Sequence, residues 1–384
     1  MGKRYFYLLT SMLLGLCQTA SADVVLTMGG DVNFNKNRNA VYADGVQYGA
    51  ERISWKSFTQ NLKPLINGDL NFANIETVVS SSNDLSDEDK KFAFKSHPNA
   101  IQNLIDLGFN LFNLANNHTY DYGHPGIRQT AIEMAELRQQ NPRIAYHGVG
   151  FRQDLIKPLE FDLNGIRFAF ATASIGDPQF QARNDSPGML FIRDDRDYQQ
   201  LVQNFAKSKA DFKILSIHFG TEGKTELDVG QRTRFEYALK HGGVNLIIGH
   251  HPHVIRPIQK KADGMIFYSL GNYLMLGSAD ITKKLDINTD WGMFSRLYLE
   301  RDPYSGKVKI DAVEVIPLTN THARVAPMPG MKAAQRIAGI NALSEIQLGA
   351  EAFRLKVDSL TGRGIFCSSE MNSVRAKTMC SSRF

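Results

Sequence analysis

The chain has 384 residues, of which 43% are hydrophobic and 22% are charged. That balance excludes disordered and fibrous proteins, and the length is enough for one large or two moderate globular domains. The 44 basic and 39 acidic residues leave a net charge of only +5, and no stripe of lysine or arginine stands out. We therefore expect no nucleic-acid partner.

The first 22 residues have the features of a secretory signal peptide. A basic start, MGKR, precedes an apolar run over residues 5–17 and a small-residue site, Ala-Ser-Ala, at residues 20–22. We predict cleavage after Ala22 and export to the periplasm, the cell envelope or the exterior. The run is too short to span a bilayer comfortably, so no transmembrane anchor is expected after cleavage. A lipoprotein signal through Cys17 is disfavoured because Leu16 before it is not a small residue.

Apolar runs alternate along the chain with amphipathic stretches, which predicts strands alternating with helices. The predicted strands are, in order, Val24–Met28, Leu70–Ile75, Leu111–Ala115, Leu159–Leu163, Ile166–Ala171, Ile214–His218, Leu246–Ile248, Met265–Ser269, Phe294–Glu300 and Val308–Ile316. The predicted helices are Trp55–Ile66, Asn99–Leu107, Gly126–Gln140, Gln231–Lys240 and about Met331–Leu348. This order predicts an α/β layered fold, with two hairpins adding antiparallel strands at sheet edges. Residues 176–200 are predicted to form an irregular loop over one face.

The chain is predicted to hold one domain and an extension. The domain covers residues 23–318, and a helical and tail extension covers residues 319–384. After signal cleavage two cysteines remain, Cys367 and Cys380, both in the extension. An oxidising compartment favours a disulfide between them, and two free thiols in a loose tail are the alternative.

Polar side chains follow five of the predicted strands at the point where each strand ends. They are Asp31 and Asn33, Asn74 and Glu76, Asn116 to His118, His218, and His251 with His253. The carboxyl ends of parallel strands share one edge of a sheet, so these groups are expected to meet there. Carboxylate, carboxamide and imidazole together suit Zn, Mn or Fe. Each residue alone has a plain explanation as a turn, cap or surface group, but five such coincidences favour one metal site.

The segment GHHPH, at residues 249–253, is the sharpest of these elements. His251 and His253 are separated by one residue on a non-helical turn, so both imidazoles can reach one metal ion or two adjacent ions. Pro252 favours an extended backbone at His251. His250 should point elsewhere, either toward a substrate or behind the ligands.

Taken in order, these segments resemble the motifs of the calcineurin-like metallophosphoesterase superfamily. They resemble more closely the CapA-type capsule synthesis family, which is associated with poly-γ-glutamate. The matching segments are LTMGGDVNF, DLNFANIET, LANNHTYDYG, SIHFGTE, GHHPHVIRPI and IFYSLGNYL. The resemblance covers about residues 24–275 and implies a layered α/β/β/α metallophosphoesterase-like sandwich.

The resemblance also implies roles for single residues. The implied metal ligands are Asp31, Glu76, Asn117, His218, His251 and His253, with Glu76 standing where the superfamily has a bridging aspartate. His118 is the implied general acid, and Asp121 would orient it. Substrate-binding roles are expected for Lys95, His250 and Arg256. Asn33 replaces the usual histidine, so either one or two ions are expected.

The resemblance implies an exported metal-dependent hydrolase that acts in capsule or other anionic-polymer biosynthesis. Its chemistry would be of the phosphoesterase type, with water activated by a divalent ion. The expected partners are an anionic polymer or phosphoester substrate and the capsule biosynthesis machinery. One alternative is a non-catalytic polymer-binding or export component, which the lost histidine favours and the retained His118 disfavours. A nucleotide-cleaving phosphatase is a third interpretation, although the chain has no added nucleotide-binding domain.

Overall fold

The structure of the protein is a computed structural model that describes residues 23–261, 264–278, 282 and 287–382. The predicted signal peptide lies outside the described residues. Within them the strands are β1 (Asp23–Asn33), β2 (Gly45–Tyr48), β3 (Glu51–Ser54), β4 (Leu70–Ile75), β5 (Val78–Val79), β6 (Lys95–Ser96), β7 (Leu111–Asn113), β8 (Ala145–His147), β9 (Leu159–Leu163), β10 (Ile166–Ser174), β11 (Phe212–His218), β12 (Leu246–His250), β13 (Ile258–Lys261), β14 (Gly264–Phe267), β15 (Asn272–Met275), β16 (Trp291–Arg301), β17 (Val308–Thr319), β18 (Ala326–Pro327), β19 (Lys356–Val357) and β20 (Gly364–Cys367). The helices are α1 (Trp55–Phe58), α2 (Pro98–Leu107), α3 (Gly123–Gln140), α4 (Arg152–Leu155), α5 (Asp195–Lys207), α6 (Val229–Gly242), α7 (Gly330–Leu348) and α8 (Val374–Ser381), with 3-10 turns at Pro178–Phe180, Leu276–Ser278 and Gly349–Glu351.

The larger of two main sheets has the strand order β19-β20-β17-β16-β1-β4-β7-β8, with β15 also pairing with β1 and β18 with β17. Strands β1, β4, β7 and β8 run parallel to one another, whereas β16 and β17 are antiparallel to their neighbours. All six residues of β4, LNFANI, are buried, as expected for a parallel strand covered on both faces. The parallel order brings the carboxyl ends of β1, β4 and β7 to one edge.

The smaller main sheet has the order β13-β14-β12-β11-β10-β9. Strands β10, β11, β12 and β14 are parallel, and their register places His218 at the end of β11 opposite His250 at the end of β12. The hairpin that joins β9 to β10 turns at Asn164 and Gly165, which have φ values of 48° and 78°. Positive φ at both positions is the geometry of a type I′ turn, and the predicted hairpin is confirmed.

The two main sheets stack face to face with helices on both outer sides. Leu26 of the larger sheet and Phe168 of the smaller belong to the apolar core between them. Helices α2 and α3 cover the outer face of the larger sheet, where Leu104 packs, and α5 and α6 cover the smaller one through residues such as Phe235. The predicted α/β/β/α layering is therefore confirmed.

Two predictions about helices are wrong. The helix predicted over Trp55–Ile66 ends at Phe58, and the segment that follows it forms turns. Helix α5 begins inside the loop predicted over residues 176–200, where the Asp194 side chain accepts from the N–H of Asp197 and caps it. The Asp194 cap therefore sets the start of α5.

The C-terminal extension continues the larger sheet. Strand β20 pairs with β17, so the β16–β17 hairpin lies inside the sheet and not at the predicted edge. Cys367 of β20 forms a disulfide with Cys380 of α8, which agrees with the favoured pairing. Arg375 of α8 lies 3.0 Å from the Asp23 carboxylate at the start of β1. In the described part of the chain, none of the helices has the length and apolar character needed to cross a bilayer.

Candidate metal centre

Five strand ends meet at one end of the sandwich. Strand β1 carries Asp31, β4 leads to Glu76, β7 leads to His118, β11 ends at His218 and β12 ends at His250. The first three belong to the larger sheet and the last two to the smaller. The expectation of one shared sheet edge is therefore corrected, because the groups converge between the carboxyl ends of two stacked sheets.

Asp31 is fully buried, and its two oxygens have different partners. Oδ1 accepts from Nδ2 of Asn74 at 2.8 Å and lies 3.0 Å from Nδ1 of His250. Oδ2 lies 3.4 Å from both the backbone nitrogen of His251 and Nδ1 of His253. Burial alone would raise the pKa of Asp31, but the hydrogen bond from His250 and the nearby imidazoles outweigh it, so the pKa is lowered. Asp31 is therefore ionised at neutral pH.

Glu76 lies at the centre of the cluster and is fully buried. Neither of its carboxylate oxygens has a hydrogen-bond partner among the described residues. Oε1 lies 3.4 Å from Nε2 of His218, 3.6 Å from Nε2 of His253 and 3.9 Å from Nε2 of His118. Burial, and then repulsion from Asp31, raise the pKa of Glu76 well above its ordinary value. A buried carboxyl group without partners is costly, and a cation is the ligand that would satisfy it.

Two groups of three potential ligands share Glu76. They are Asp31 with Glu76 and His253, and Glu76 with His218 and His251, and the ligand atoms of each lie within 4.8 Å of one another. In the second group, Nε2 of His218 lies 3.1 Å from Nδ1 of His251 and 2.6 Å from Oδ1 of Asn117. Spacings of about 3 Å are expected between donors that each lie about 2.0–2.2 Å from one ion. The donor set fits one or two divalent cations.

The two imidazoles of the HPH segment stand on left-handed backbone. The φ angle is 96° at His251 and 56° at His253. Such conformations cost on the order of 1–3 kcal/mol for non-glycine residues and concentrate at functional sites. The predicted extended backbone at His251 is wrong, because its N–H turns inward to Asp31 while the Pro252 carbonyl accepts from Gly223 at 2.9 Å.

His118 lies between Asp121 and Glu76. Its Nδ1 is 2.7 Å from Oδ2 of Asp121, and the same oxygen accepts from the N–H of Phe94 at 2.6 Å. The other oxygen of Asp121 accepts from the ammonium of Lys90. Burial lowers the pKa of His118 against the opposing attraction of Asp121. The arrangement leaves Nε2 of His118 facing the cluster, and the roles of His118 and Asp121 stay predictions.

His250 takes the second of its two expected orientations, behind the ligands, and Lys95 lies away from the candidate centre. His250 is fully buried behind Asp31, with its ring centroid 5.6 Å from that of Phe72, so it holds Asp31 and has no surface for a substrate. Lys95 is buried on β6 with its ammonium 4.9 Å from the ring centroid of Tyr122. Burial lowers the pKa of Lys95. None of the described contacts brings its ammonium to the candidate centre.

The substrate-binding role of Arg256 stays a prediction, and its observed contacts are all within the protein. Its guanidinium is fully buried and lies 2.9 Å from Oδ2 of Asp228 and 2.6 Å from Oε1 of Gln231. It also donates to the carbonyls of Thr221 and Lys224. Four of its five N–H donors are thereby committed to a protein network, so Arg256 fixes the loop after β11.

Asn33 stands where the superfamily usually has a histidine ligand, and its contacts show what it does there. Asn33 is fully buried, its Oδ1 accepts from the N–H of Asn35 at 3.1 Å, and its Nδ2 donates to the carbonyl of Asn35 at 2.6 Å. These bonds close a local turn. Asn33 therefore does not take the place of the missing imidazole ligand.

Two residues beside the cluster, Lys90 and Asn272, have no role predicted from the sequence. Lys90 bonds Asp121 and the carbonyl of Asn117, but its surroundings, SDEDKK, indicate only a solvated loop. Asn272 lies with Oδ1 at 2.8 Å from Nδ1 of His253. It is the last residue of SLGN, which lies in one of the segments that carry the family resemblance. Its place in that segment was the only feature of the sequence from which a role could have been predicted.

A family model settles the relationship of the chain to known proteins. The model of the bacterial capsule synthesis protein PGA_cap matches residues 25–276. The chain belongs to this family. It is 30% identical over 222 residues to the PGA biosynthesis protein CapA of Bacillus subtilis (strain 168), a match that covers 57% of this chain and 56% of that protein. It is 27% identical over 261 residues to the capsule biosynthesis protein CapA of Bacillus anthracis, covering 65% and 59%. The PGA_cap chain thus spans little more than half the length of these relatives.

Solved structures of a calcineurin-like phosphoesterase and of a nucleotidase are similar to this PGA_cap chain in fold. The calcineurin-like phosphoesterase YfkN from Bacillus subtilis has 13% identity and a TM-score of 0.42, covering 79% of this chain and 92% of that chain. The NAD nucleotidase of Haemophilus influenzae has 11% identity and a TM-score of 0.40, covering 82% and 61%. These are likenesses in fold, and nothing about the chemistry of this chain follows from them.

Proposed function

We propose that this PGA_cap protein is an exported, metal-dependent hydrolase that cleaves a phosphoester or amide bond during the synthesis of a capsule or another anionic polymer. Its relatives include proteins named for PGA and capsule biosynthesis, which supports the biological setting. The single observation that carries the chemistry is Glu76, whose two buried oxygens have no hydrogen-bond partner among the described residues and lie between two groups of potential ligands.

Each group of potential ligands has the composition of a catalytic site. Three protein donors with room for a further ligand are typical of catalytic metal sites, whereas structural sites are closed. A bound divalent ion would supply Lewis acidity and a water of lowered pKa. Asp31 and His253 would hold one ion, His218, His251 and Asn117 would hold a second, and Glu76 would be shared by both. Glu76 would bind the ions as a carboxylate.

The proton of the leaving group would be handled by His118. Asp121 accepts from Nδ1 of His118 and fixes the ring, so Nε2 is the atom that faces the cluster 3.9 Å from Glu76. At that position Nε2 can transfer a proton to the oxygen or nitrogen that leaves. His118 is 6% exposed and His251 is 5% exposed, so the cluster is largely shielded from bulk water.

The decisive experiment combines metal analysis with a substrate panel. The purified protein, supplied with Mn²⁺, is offered chromogenic phosphomonoesters and phosphodiesters, γ-glutamyl substrates and peptides. We expect bound Mn, Zn or Fe and turnover of at least one substrate. The His118→Ala variant should lose turnover by about 100-fold or more while keeping its metal content.

A matched control is His147→Ala, which removes another buried imidazole whose ring contacts are with Thr172 and the carbonyl of Lys157. Turnover should survive in that variant. Metal content at background in the wild-type protein would overturn the proposal.

The second candidate is a non-catalytic component that binds or exports the polymer. It is favoured by Asn33, which stands at the position of a usual histidine ligand and bonds its own turn. A protein that holds metal and binds poly-γ-glutamate, yet cleaves none of the panel, would support this function against the hydrolase.

A further inference from the structure

We propose that Asn272 is a positioning residue that sets the tautomer of His253, so that Nε2 of His253 presents its lone pair to the shared carboxylate Glu76. The inference rests on the proposed metal centre. It assigns a role to a residue outside the predicted ligand set. That role is to orient the ring proton of one ligand, His253, before any ion binds.

The orientation of the Asn272 amide is fixed by its other neighbour. Nδ2 donates to the backbone carbonyl of Thr289 at 2.9 Å, and a carbonyl can only accept. The amide oxygen must therefore be the atom that faces the imidazole, where it lies 2.8 Å from Nδ1 of His253. The Thr289 carbonyl also accepts from the hydroxyl of Thr321 at 3.3 Å, which holds it in place.

An acceptor on that side of the ring requires a donor at Nδ1. Oδ1 of Asn272 and the nearby Oδ2 of Asp31, 3.4 Å from Nδ1, both offer only lone pairs. A neutral imidazole carries a single proton, so a proton on Nδ1 leaves Nε2 as an acceptor. Nε2 of His253 is buried, has no hydrogen-bond partner among the described residues, and lies 3.6 Å from Oε1 of Glu76. The lone pair therefore points into the candidate centre.

The backbone is built to bring Asn272 this close. Strand β15 runs parallel to β1, and the register pairs Asn272 with Asp31. A side chain at Gly30 would meet the carbonyl oxygen of Gly271 at 1.9 Å, and one at Gly292 would meet that of Asn272 at 1.9 Å. Two glycines therefore allow the close strand approach that places the amide beside His253. Asn272 is fully buried, so water does not compete for the imidazole.

The direct test is the tautomer of His253 in protein freed of metal by a chelator. Histidine is labelled with ¹⁵N, the ring is observed by NMR at a pH where the imidazoles are neutral, and the His253 signals are assigned by their loss in His253→Gln. We expect the wild type to carry the proton on Nδ1. The Asn272→Ala variant should lose that preference, and its affinity for Mn²⁺ or Zn²⁺ by calorimetry should fall roughly 10- to 100-fold.

Two further variants separate positioning from folding. Asn272→Asp keeps an acceptor at the same place, so the Nδ1 proton should be retained even if stability falls. Asn71→Ala removes another buried asparagine of the larger sheet, one that bonds the carbonyls of Gly68 and Gly108. It should leave both the tautomer and the metal affinity unchanged.

The proposal is overturned if wild-type His253 carries its proton on Nε2, a result that needs no variant. It is also overturned if Asn272→Ala is folded and keeps both the Nδ1 proton and a metal affinity within about twofold of wild type. Absence of hydrolytic activity would sink the proposed hydrolase and leave the tautomer result standing, so the two failures are distinguishable.

Discussion

Single side chains at the candidate centre are held in orientation by a second group. Asp121 is one such orienting group, and both of its carboxylate oxygens have hydrogen-bond partners. One faces Nδ1 of His118 and the N–H of Phe94, and the other accepts from the ammonium of Lys90. A carboxylate bonded at both oxygens cannot rotate freely, so the ring of His118 stays directed at Glu76.

Replacing Lys90 by methionine should lower kcat roughly tenfold, because Asp121 loses one of its restraints. Metal content and KM should change less than kcat, since Lys90 bonds the backbone carbonyl of Asn117 and not its proposed ligand oxygen. Steady-state kinetics and metal analysis measure this, and Lys90→Arg should restore part of the rate. The matched control, Lys91→Met, alters the exposed neighbour and should be neutral. Equal losses in both variants would contradict the positioning role.

The buried network of Arg256 leads to a prediction about stability. Arg256→Ala should lower the free energy of unfolding by about 3 kcal/mol, because it leaves Asp228 and Gln231 without their buried partner. Urea denaturation measures the loss. Arg167→Ala breaks an exposed pair with Asp162 and should cost less than about 1 kcal/mol. A folded Arg256→Ala protein of native stability with a raised KM would support the substrate-binding role.

Strands β16 and β17 carry a buried charge cluster within the larger sheet. Arg296 and Glu314 are directly opposite in the register of the two strands, and their side chains form an ion pair. Arg363, just before β20, lies 2.8 Å from the other oxygen of Glu314. Burial would raise the pKa of Glu314, but Arg296 and Arg363 lower it below the ordinary 4.5. This pairing stabilises the register only while Glu314 is ionised.

The Glu314→Gln variant should therefore be less stable by about 3 kcal/mol at pH 7. The lowered pKa means that the wild-type advantage is fully present above pH 4.5 and is lost as pH falls through the folded value. Urea unfolding of both proteins at pH 7 and at successively lower pH should show the difference shrinking below pH 4.5. A difference that is constant across this range would show that the charge of Glu314 is irrelevant.

At the scale of the whole molecule, the candidate centre joins the two stacked sheets. Asp31 and Glu76 come from the larger sheet, whereas His218 and His251 follow strands of the smaller one. An ion held by both sets would bind the folded chain and not the unfolded one, so it would stabilise the fold by mass action.

Addition of Mn²⁺ or Zn²⁺ at about 100 times its Kd should stabilise the protein by about 2.7 kcal/mol. Thermal unfolding with and without chelator measures the rise in Tm. Glu76→Gln keeps the size of the side chain but removes the charge, and it should abolish most of the rise. A Tm that does not respond to these ions in the wild type would count against the metal centre.

Much of the fold was predictable because local patterns decide it. The strand Leu70–Ile75 was predicted with its observed bounds, and the turn at Asn164-Gly165 follows from the residues that tolerate positive φ. Local patterns did not predict pairings between strands that are distant in the sequence. Strand β20, for example, lies in the predicted C-terminal extension but pairs with β17 of the larger sheet. Helix α5 was missed although Tyr198, Leu201, Val202 and Phe205 follow helical spacing, because its charged start was interpreted as part of a loop.

The sequence by itself determined the layered fold, the family and the set of residues at the strand ends, because periodicity and motif order are properties of the chain. Tertiary structure decided which groups meet. It placed His250 behind Asp31, committed Arg256 to Asp228, and brought Asn272 to His253. The physical reason is that burial and hydrogen-bond partners come from residues distant in sequence, and these partners decide whether a polar side chain is a ligand, a support or part of the core.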